Sequence, residues 1–326
     1  MTTNITIIGL GQIGASIGLA FADKQIDVRR IGHDKDLETA KLAQKQGAVD
    51  DIKYNLPASV EDAAVVILCL PLDQIRPTLE IIAQDLKEDA VVIDVSPAKR
   101  SLANWVKDIL PAGRYYVGIT PALNPDYLHE FESGIGAAHA DLFKGATLLL
   151  DTPSHIPEQA VNLASNLTQA LGAKHMFSDS AEADGMMASV HLLPQLAAAA
   201  LLNSTLEQPG WQETRKIASK PYALATAALA DADALREAVL SNKENALRVL
   251  DAFIASLTDL REAIAGNDAD SLDKQLKSAY VGRQNWWDGR SSNAWKDPSD
   301  IKLEMPSFSS QVKQTFLGER KKPSKG

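Results

Sequence analysis

Residues 5–20, ITIIGLGQIGASIGLA, constrain the fold of this chain more than any other stretch. An apolar β-branched run ends on Gly9-Leu10-Gly11-Gln12-Ile13-Gly14, and an alanine-rich helical pattern follows at once. That order of strand, glycine turn and helix is what the first βαβ unit of a dinucleotide-binding domain requires. Gly9 permits the tight turn, Gly11 lets the backbone approach a pyrophosphate, and Gly14 lets helix and strand pack closely. The unpaired N–H groups at the start of the helix then bind phosphate. Twenty residues after Gly14, closing the second apolar run RRIGHD, comes Asp34, placed to bind both ribose hydroxyls. Its charge repels a 2′-phosphate, so NAD is the expected cofactor, while Arg29, Arg30, His33 and Lys35 keep NADP open as an alternative. Leu70-Pro71, after the strand-like VVILC, is expected to border the nicotinamide side.

Up to about residue 178 apolar β-branched runs (ITIIGL, VRRIGHD, AVVILCL, AVVIDVS, YYVGI, ATLLLD, KHMF) alternate with helix-like stretches such as LETAKLAQKQG. This is the pattern of a mostly parallel sheet with crossover helices. From Ala181 the strand signals stop, and AEADGMMASVHLLPQLAAAALLNSTL reads as one long apolar helix that Pro194 should kink. Further on, Leu247, Leu250, Ile254, Leu257, Leu260 and Ile264 recur at steps of three and four, a stripe that packs against another helix. The expected architecture is an α/β protein: a Rossmann-type doubly wound sheet in residues 1–178, an all-α substrate and dimerisation domain in 179–287, and an extended or disordered tail in 288–326. A homodimer through the helical domain is expected, with packing inside one chain as the alternative.

The 326 residues are 45% hydrophobic and 23% charged, enough to bury a sizeable core. A formal net charge of -9, with no basic stripe before the last few residues, takes away the electrostatic basis for binding nucleic acid or an anionic membrane. The opening MTTNITIIGLGQIG enters the glycine loop without a basic region ahead of a signal-like stretch, and no segment is read as a membrane span, so a cytoplasmic protein is expected. The single cysteine, Cys69, lies in an apolar run and reads as a buried strand residue, with no metal site implied.

In IIGLGQIGASIGLA, AKLAQKQGAVD, AVVILCLPL, VVIDVSPAK, ADLFKGATLLL, TRKIASKP, LSNKENALRVLDAFIASLTDLREAI and GRQNWW, the chain resembles the prephenate dehydrogenase family, which includes arogenate dehydrogenases. The resemblance runs in unbroken order over about residues 5–287. It implies NAD-linked oxidative decarboxylation, with hydride leaving C4 of the prephenate ring and CO₂ leaving C1 to give 4-hydroxyphenylpyruvate. It also implies dimers with intertwined helical domains.

Three departures accompany it. Where the family carries a His-Pro pair whose histidine bonds the C4 hydroxyl, this chain has Thr120-Pro121. Where it carries a glycine-serine pair, this chain has Ser96-Pro97. Where it often has Ser-His-Leu-Pro-His, a gap-free register on Pro194 gives His191, Leu192, Leu193, Pro194 and Gln195. The family arginine that pairs with a substrate carboxylate falls on Arg215, as a small diacid substrate requires.

Threonine is no general base near neutral pH, so His191 is the leading candidate for that role, with Thr120 and Ser96 hydrogen-bonding the reacting group and Gln195 beside Arg215 in the substrate site. His129 and His139 are weaker candidates; His33 sits beside the ribose carboxylate, and His155 and His175 read as surface connections. Two other readings keep the fold: an NAD(P)-dependent dehydrogenase of another small carboxylic acid, and a non-catalytic NAD-binding regulator.

Overall fold

The computed structural model describes residues 3–22, 27–130, 132–152 and 156–295. His155, and the expected tail beyond residue 295, lie outside the described residues; the tail is expected from residue 288, but residues 288–292 still belong to the last described helix, Ala269–Ser292. Eight strands form one sheet: β1 (Thr3–Ile8), β2 (Val28–His33), β3 (Asp51–Ile52), β4 (Val65–Leu68), β5 (Val91–Asp94), β6 (Tyr115–Pro121), β7 (Thr147–Asp151) and β8 (Lys174–Ser178). Their order is β3-β2-β1-β4-β5-β6-β7-β8. All neighbours pair in parallel except β6 with β7. The strand order reverses between β1 and β4, which opens a crevice at the carboxyl ends of these strands.

Six helices accompany the sheet: α1 (Gln12–Ala22), α2 (Leu37–Lys45), α3 (Leu56–Val60), α4 (Leu72–Ile82), α5 (Lys99–Ile109) and α6 (Glu158–Ala170). β4 and β5 are buried along their whole length, as expected of strands covered on both faces. Ile5, Ile7, Ile67, Ile93 and Ile119 enter one core layer with Ile17 and Phe21 of α1 and Leu167 of α6. Ile8, Val66, Leu68, Val92 and Tyr116 enter the opposite layer with Ile75 and Leu79 of α4 and Leu102 and Val106 of α5. The period of two in the sequence is thus divided between two cores.

The chain continues as α7 (Ser180–Met187), a π-helical turn (Ala188–Leu192), α8 (Leu193–Leu206), α9 (Trp211–Thr214), α10 (Lys220–Thr226), α11 (Ala232–Ser241), α12 (Lys243–Ala265) and α13 (Ala269–Ser292). Ala188, Leu192, Leu235, Ala238, Ala246 and Val249 belong to the same core layer as Leu68 and Tyr116, so this part of the helical region covers one face of the sheet. Two compact units result, residues 1–254 and 255–326. In the second, Arg283 lies 5.1 Å from the ring centre of Trp286 and 5.2 Å from that of Trp287.

The structure bears on three expectations. The helix carrying Pro194 does not break there: the turn before it widens to π geometry, which accommodates a residue that has no N–H and crowds the preceding turn. Ser180–Leu206 is, by length and composition, apolar enough to cross a membrane, contrary to the reading that no segment is. Its first turns carry Glu182 and the buried Asp184, and Ala188 and Leu192 pack on the sheet. The leucine stripe lies largely exposed, with Leu247, Ile254, Leu257 and Ile264 each about half open to solvent or more.

Candidate active site

The glycine loop leaves β1 and turns into α1. Gly9 has φ +89°, and a Cβ there would come within 2.3 Å of the Cys69 carbonyl oxygen. A Cβ on Gly14 would lie 1.9 Å from the Gly9 carbonyl oxygen, whereas one on Gly11 would meet nothing within 4 Å. Two glycines are therefore required by close packing, and the third keeps open the space through which a pyrophosphate would reach the backbone. Gly9, Gly11, Asp34, Leu70 and Pro71 line a cleft of about 450 Å³, with His33, Lys35 and Gln74 on its outer side.

Leu10 enters this site differently from the expectation, since its side chain is buried in the core. Its N–H donates to Asp34 Oδ2 at 2.7 Å, and Asp36 N–H donates to Oδ1 at 2.9 Å. The amides of Gly11, Gln12 and Ile13 at the start of α1 are placed where a helix start can receive a phosphate. Both Asp34 oxygens are held in place and keep lone pairs for the ribose hydroxyls. The loop fits a dinucleotide on these grounds.

The expected cations divide. Arg29 pairs with Asp51 at 3.0 Å. Arg30 pairs with Asp50 and donates to the carbonyls of Gly18 and Gly47 at 2.9 and 2.8 Å. Neither lines the cleft; they stand four and five residues before Asp34 on an extended strand, roughly 13–17 Å away along the chain. His33 Nδ1 lies 2.8 Å from the Lys53 carbonyl, and Lys35 Nζ donates to Gln74 Oε1 at 3.3 Å. These two residues alone remain at the ribose side from that group.

The ends of β5 and β6 come together beyond the sheet. Thr120 Oγ1 donates to the Ser96 carbonyl at 3.5 Å, and both residues are buried. The Ser96 hydroxyl has no hydrogen-bond partner among the described residues. Behind them lies a cluster that sequence reasoning missed. Lys99 and Asp94, both fully buried, pair at 2.9 Å, and the Tyr116 hydroxyl donates to the same Asp94 oxygen at 2.6 Å. Burial pushes the Lys99 ammonium below, and the Tyr116 phenol well above, their ordinary values. Asp151 on β7 joins the cluster with Oδ2 unpartnered among the described residues, and burial raises its carboxyl to about 6. The only local sequence signal was an aspartate at the end of each of the apolar runs VVID and TLLLD, with a lysine five residues after the first.

His191 sits in the π-helical turn, between Val190 and the buried Leu192. The residue is exposed to solvent, yet nearby protein displaces enough water to lower its pKa below the usual histidine value. Gln195 Nε2 donates to the His191 carbonyl at 3.0 Å, a bond along the helix. Leu192 shares its core layer with Ala98, Leu102 and Tyr116, so this turn stands over the sheet face to which Tyr116 belongs. Thr120, four residues after Tyr116 on β6, projects to that same face. Arg215 caps the short α9 with its side chain exposed and without an ion-pair partner among the described residues.

The remaining histidines have other employment. His139 stacks on Tyr127 at 4.2 Å and reaches Glu130 at 3.2 Å. His175 lies within β8, edge-on to Phe177, rather than in a surface connection. His129 follows the 3-10 turn Pro125–Tyr127, on the loop after β6.

A doubly wound sheet with this glycine loop, an anchored carboxylate just after β2 and helices covering one sheet face defines a dinucleotide-binding protein. Family models match in two adjoining parts, "prephenate dehydrogenase, nucleotide-binding domain" over residues 17–177 and "prephenate dehydrogenase, dimerization domain" over 179–278. The chain belongs to the prephenate dehydrogenase family and is an NAD-dependent oxidoreductase. It is 28% identical to the prephenate dehydrogenase of Bacillus subtilis (strain 168), covering 86% of this chain and 75% of that one. It is 27% identical to the cyclohexadienyl dehydrogenase of Zymomonas mobilis, over 86% and 94%. In fold it is similar to the prephenate dehydrogenase of A. aeolicus solved with hydroxyphenyl propionate and NAD+ (TM-score 0.77, 24% identity, 87% and 98% covered). The arogenate dehydrogenase of Synechocystis is also similar (TM-score 0.68, 22% identity, 87% and 100% covered).

Proposed function

We propose that this chain oxidatively decarboxylates prephenate or arogenate in tyrosine biosynthesis, working as a homodimer. The observation that carries the reading is the meeting of Ser96 and Thr120 at the carboxyl edge of β5 and β6, in a chain matched by the family models from residue 17 to 278. The amides of Gly11 to Ile13 would hold the pyrophosphate of NAD+, Asp34 its ribose, and Leu70-Pro71 would border its nicotinamide, which would supply the acceptor for the hydride from C4 of the substrate ring.

On the substrate side, the hydroxyls of Thr120 and Ser96 hydrogen-bond the C4 hydroxyl and orient it. His191, held neutral near pH 7 by its lowered pKa, accepts the hydroxyl proton as C4 becomes a carbonyl. Loss of CO₂ from C1 then returns the electron pair to the ring, and the same proton completes the phenol. The overall reaction releases no proton, so the base acts as a shuttle. This is why a chain with threonine in place of the expected histidine can still turn over. Arg215 pairs with a substrate carboxylate, its exposed guanidinium lying on the region matched as a dimerisation domain, and Gln195 completes the site. The exposed apolar stripe of α12 supplies the dimer interface.

A second reading, a dehydrogenase of a different small carboxylic acid, is favoured by the neutral Thr120, Pro97, Leu192 and Gln195 in place of the residues the resemblance leads one to expect. The deciding experiment measures NADH formation and CO₂ release with prephenate and arogenate, beside a panel of 2-hydroxy acids. Turnover of either cyclohexadiene supports the first reading. Turnover confined to the panel establishes the second.

A further inference from the structure

Lys99 and Asp94 are a buried ion pair with no exposed surface on either side chain. Replacing such a pair by apolar residues often costs nothing or stabilises a protein, so stability is a weak reason for keeping it. What the pair does for the geometry of the site is specific. The three ammonium N–H groups reach three acceptors: Asp94 Oδ2 at 2.9 Å, the Asp94 carbonyl at 3.2 Å and the Ile119 carbonyl at 3.1 Å. Ile119 immediately precedes Thr120. Asp94 in turn accepts the Ser96 N–H on Oδ1 at 2.7 Å, while its Oδ2 is also held by Tyr116. One ammonium and one carboxylate therefore grip the backbone on both sides of the contact between Ser96 and Thr120.

Two further features tie this grip to its surroundings. The backbone N–H of Lys99 donates to Asp184 Oδ1 at 2.7 Å, linking it to α7 at the start of the helical run that carries His191. On β6 the lysine stem lies against Gly118, where a Cβ would come within 2.8 Å of Lys99 Cδ and 3.1 Å of the Tyr116 hydroxyl. The strand has been cleared for the lysine to pass.

We propose that Lys99 is a positioning residue for the hydride-transfer site: held by Asp94 and Tyr116, its ammonium fixes the spacing between the Ser96 loop and the Thr120 end of β6. It touches no substrate and acts through the hydroxyls it places. The proposal rests on the dehydrogenase reading above.

The test compares wild type with Lys99→Met, with the double variant Asp94→Asn/Lys99→Met and with Tyr116→Phe. The single lysine change strands a buried carboxylate and serves to report instability, whereas the double variant removes both charges together. The double variant is expected to fold and to bind NAD within about twofold of wild type. Its kcat should fall roughly 10- to 100-fold, the scale of a small misplacement of reacting groups, with far less change in KM. Peptides covering residues 94–98 and 117–120 should exchange amide hydrogen faster.

Wild-type kcat together with unchanged exchange protection in the double variant overturns the proposal. Where that variant does not fold, Tyr116→Phe carries the test: loss of one hydrogen bond to Asp94 lowers kcat about 3- to 10-fold with NAD affinity kept, and an unchanged kcat overturns the idea. Should wild type act on neither prephenate nor arogenate, the substrate reading fails, and the exchange measurement alone then decides whether the clamp exists.

Discussion

Thr120 sets the chemical question at the scale of single residues. Its hydroxyl can hold the substrate hydroxyl but cannot take its proton, and on the proposed mechanism that work falls to His191. His191→Ala should lower kcat by about 10²- to 10⁴-fold, the usual contribution of a positioned base, with NAD affinity unchanged in a fluorescence titration. Because burial lowers the His191 pKa, the active neutral form prevails above it, and activity is lost as pH falls through a value below 6.5. A kcat profile from pH 5 to 8 should show that acidic limb in wild type and not in the variant.

Asp151 gives a second pH signature, in stability rather than rate. Its pKa is raised from 3.8 to about 6 by burial, so the protonated form suits the fold better than the charged one. Stability from this group is full below pH 3.8 and is lost as pH rises through about 6. Denaturant titrations should find Asp151→Asn more stable than wild type at pH 8 by roughly 1–3 kcal/mol, with the two converging near pH 4. Identical differences at both pH values would count against the assignment.

Among the elements, the glycine loop is the most tightly determined. A methyl group on Gly14 would meet the Gly9 carbonyl, a backbone atom that cannot move without reshaping the turn. Gly14→Ala should therefore weaken NAD binding at least about tenfold, or ~1.4 kcal/mol, by titration of NADH fluorescence. This loop was legible in the sequence because strand, turn and helix are contiguous, and every glycine has a local reason. So were the ends of β5 and β6, where apolar runs stop at Ser96 and Thr120. The Lys99 cluster was not, because Asp94, Tyr116, Asp151 and Asp184 come from four elements that only the sheet order and α7 bring together. Arg29 and Arg30 misled for a related reason. Closeness in sequence to Asp34 means distance in space when the chain between is extended, and both arginines bind carboxylates at the sheet edge instead.

For the whole molecule, the apolar surface of the helical region makes a claim about assembly. Leu247, Leu257 and Ile264 of α12 stand exposed in the single chain, an apolar face that the proposed dimer would cover. Leu257→Glu should shift the protein from dimer to monomer in analytical ultracentrifugation, and an unchanged dimer would move the interface elsewhere. The sequence showed this stripe by its helical period, but period alone does not say whether the partner is the same chain or another.

A dinucleotide loop, a Ser96–Thr120 edge and helices over one sheet face together suit oxidation of a cyclohexadiene diacid or its amino analogue despite the exchanged histidine. The most direct test follows NADH absorbance with purified protein, NAD+ and prephenate or arogenate, beside His191→Ala. Wild type should form NADH steadily with matching CO₂ release, and the variant should nearly lose both. No NADH from either substrate, in protein shown to bind NAD, contradicts it.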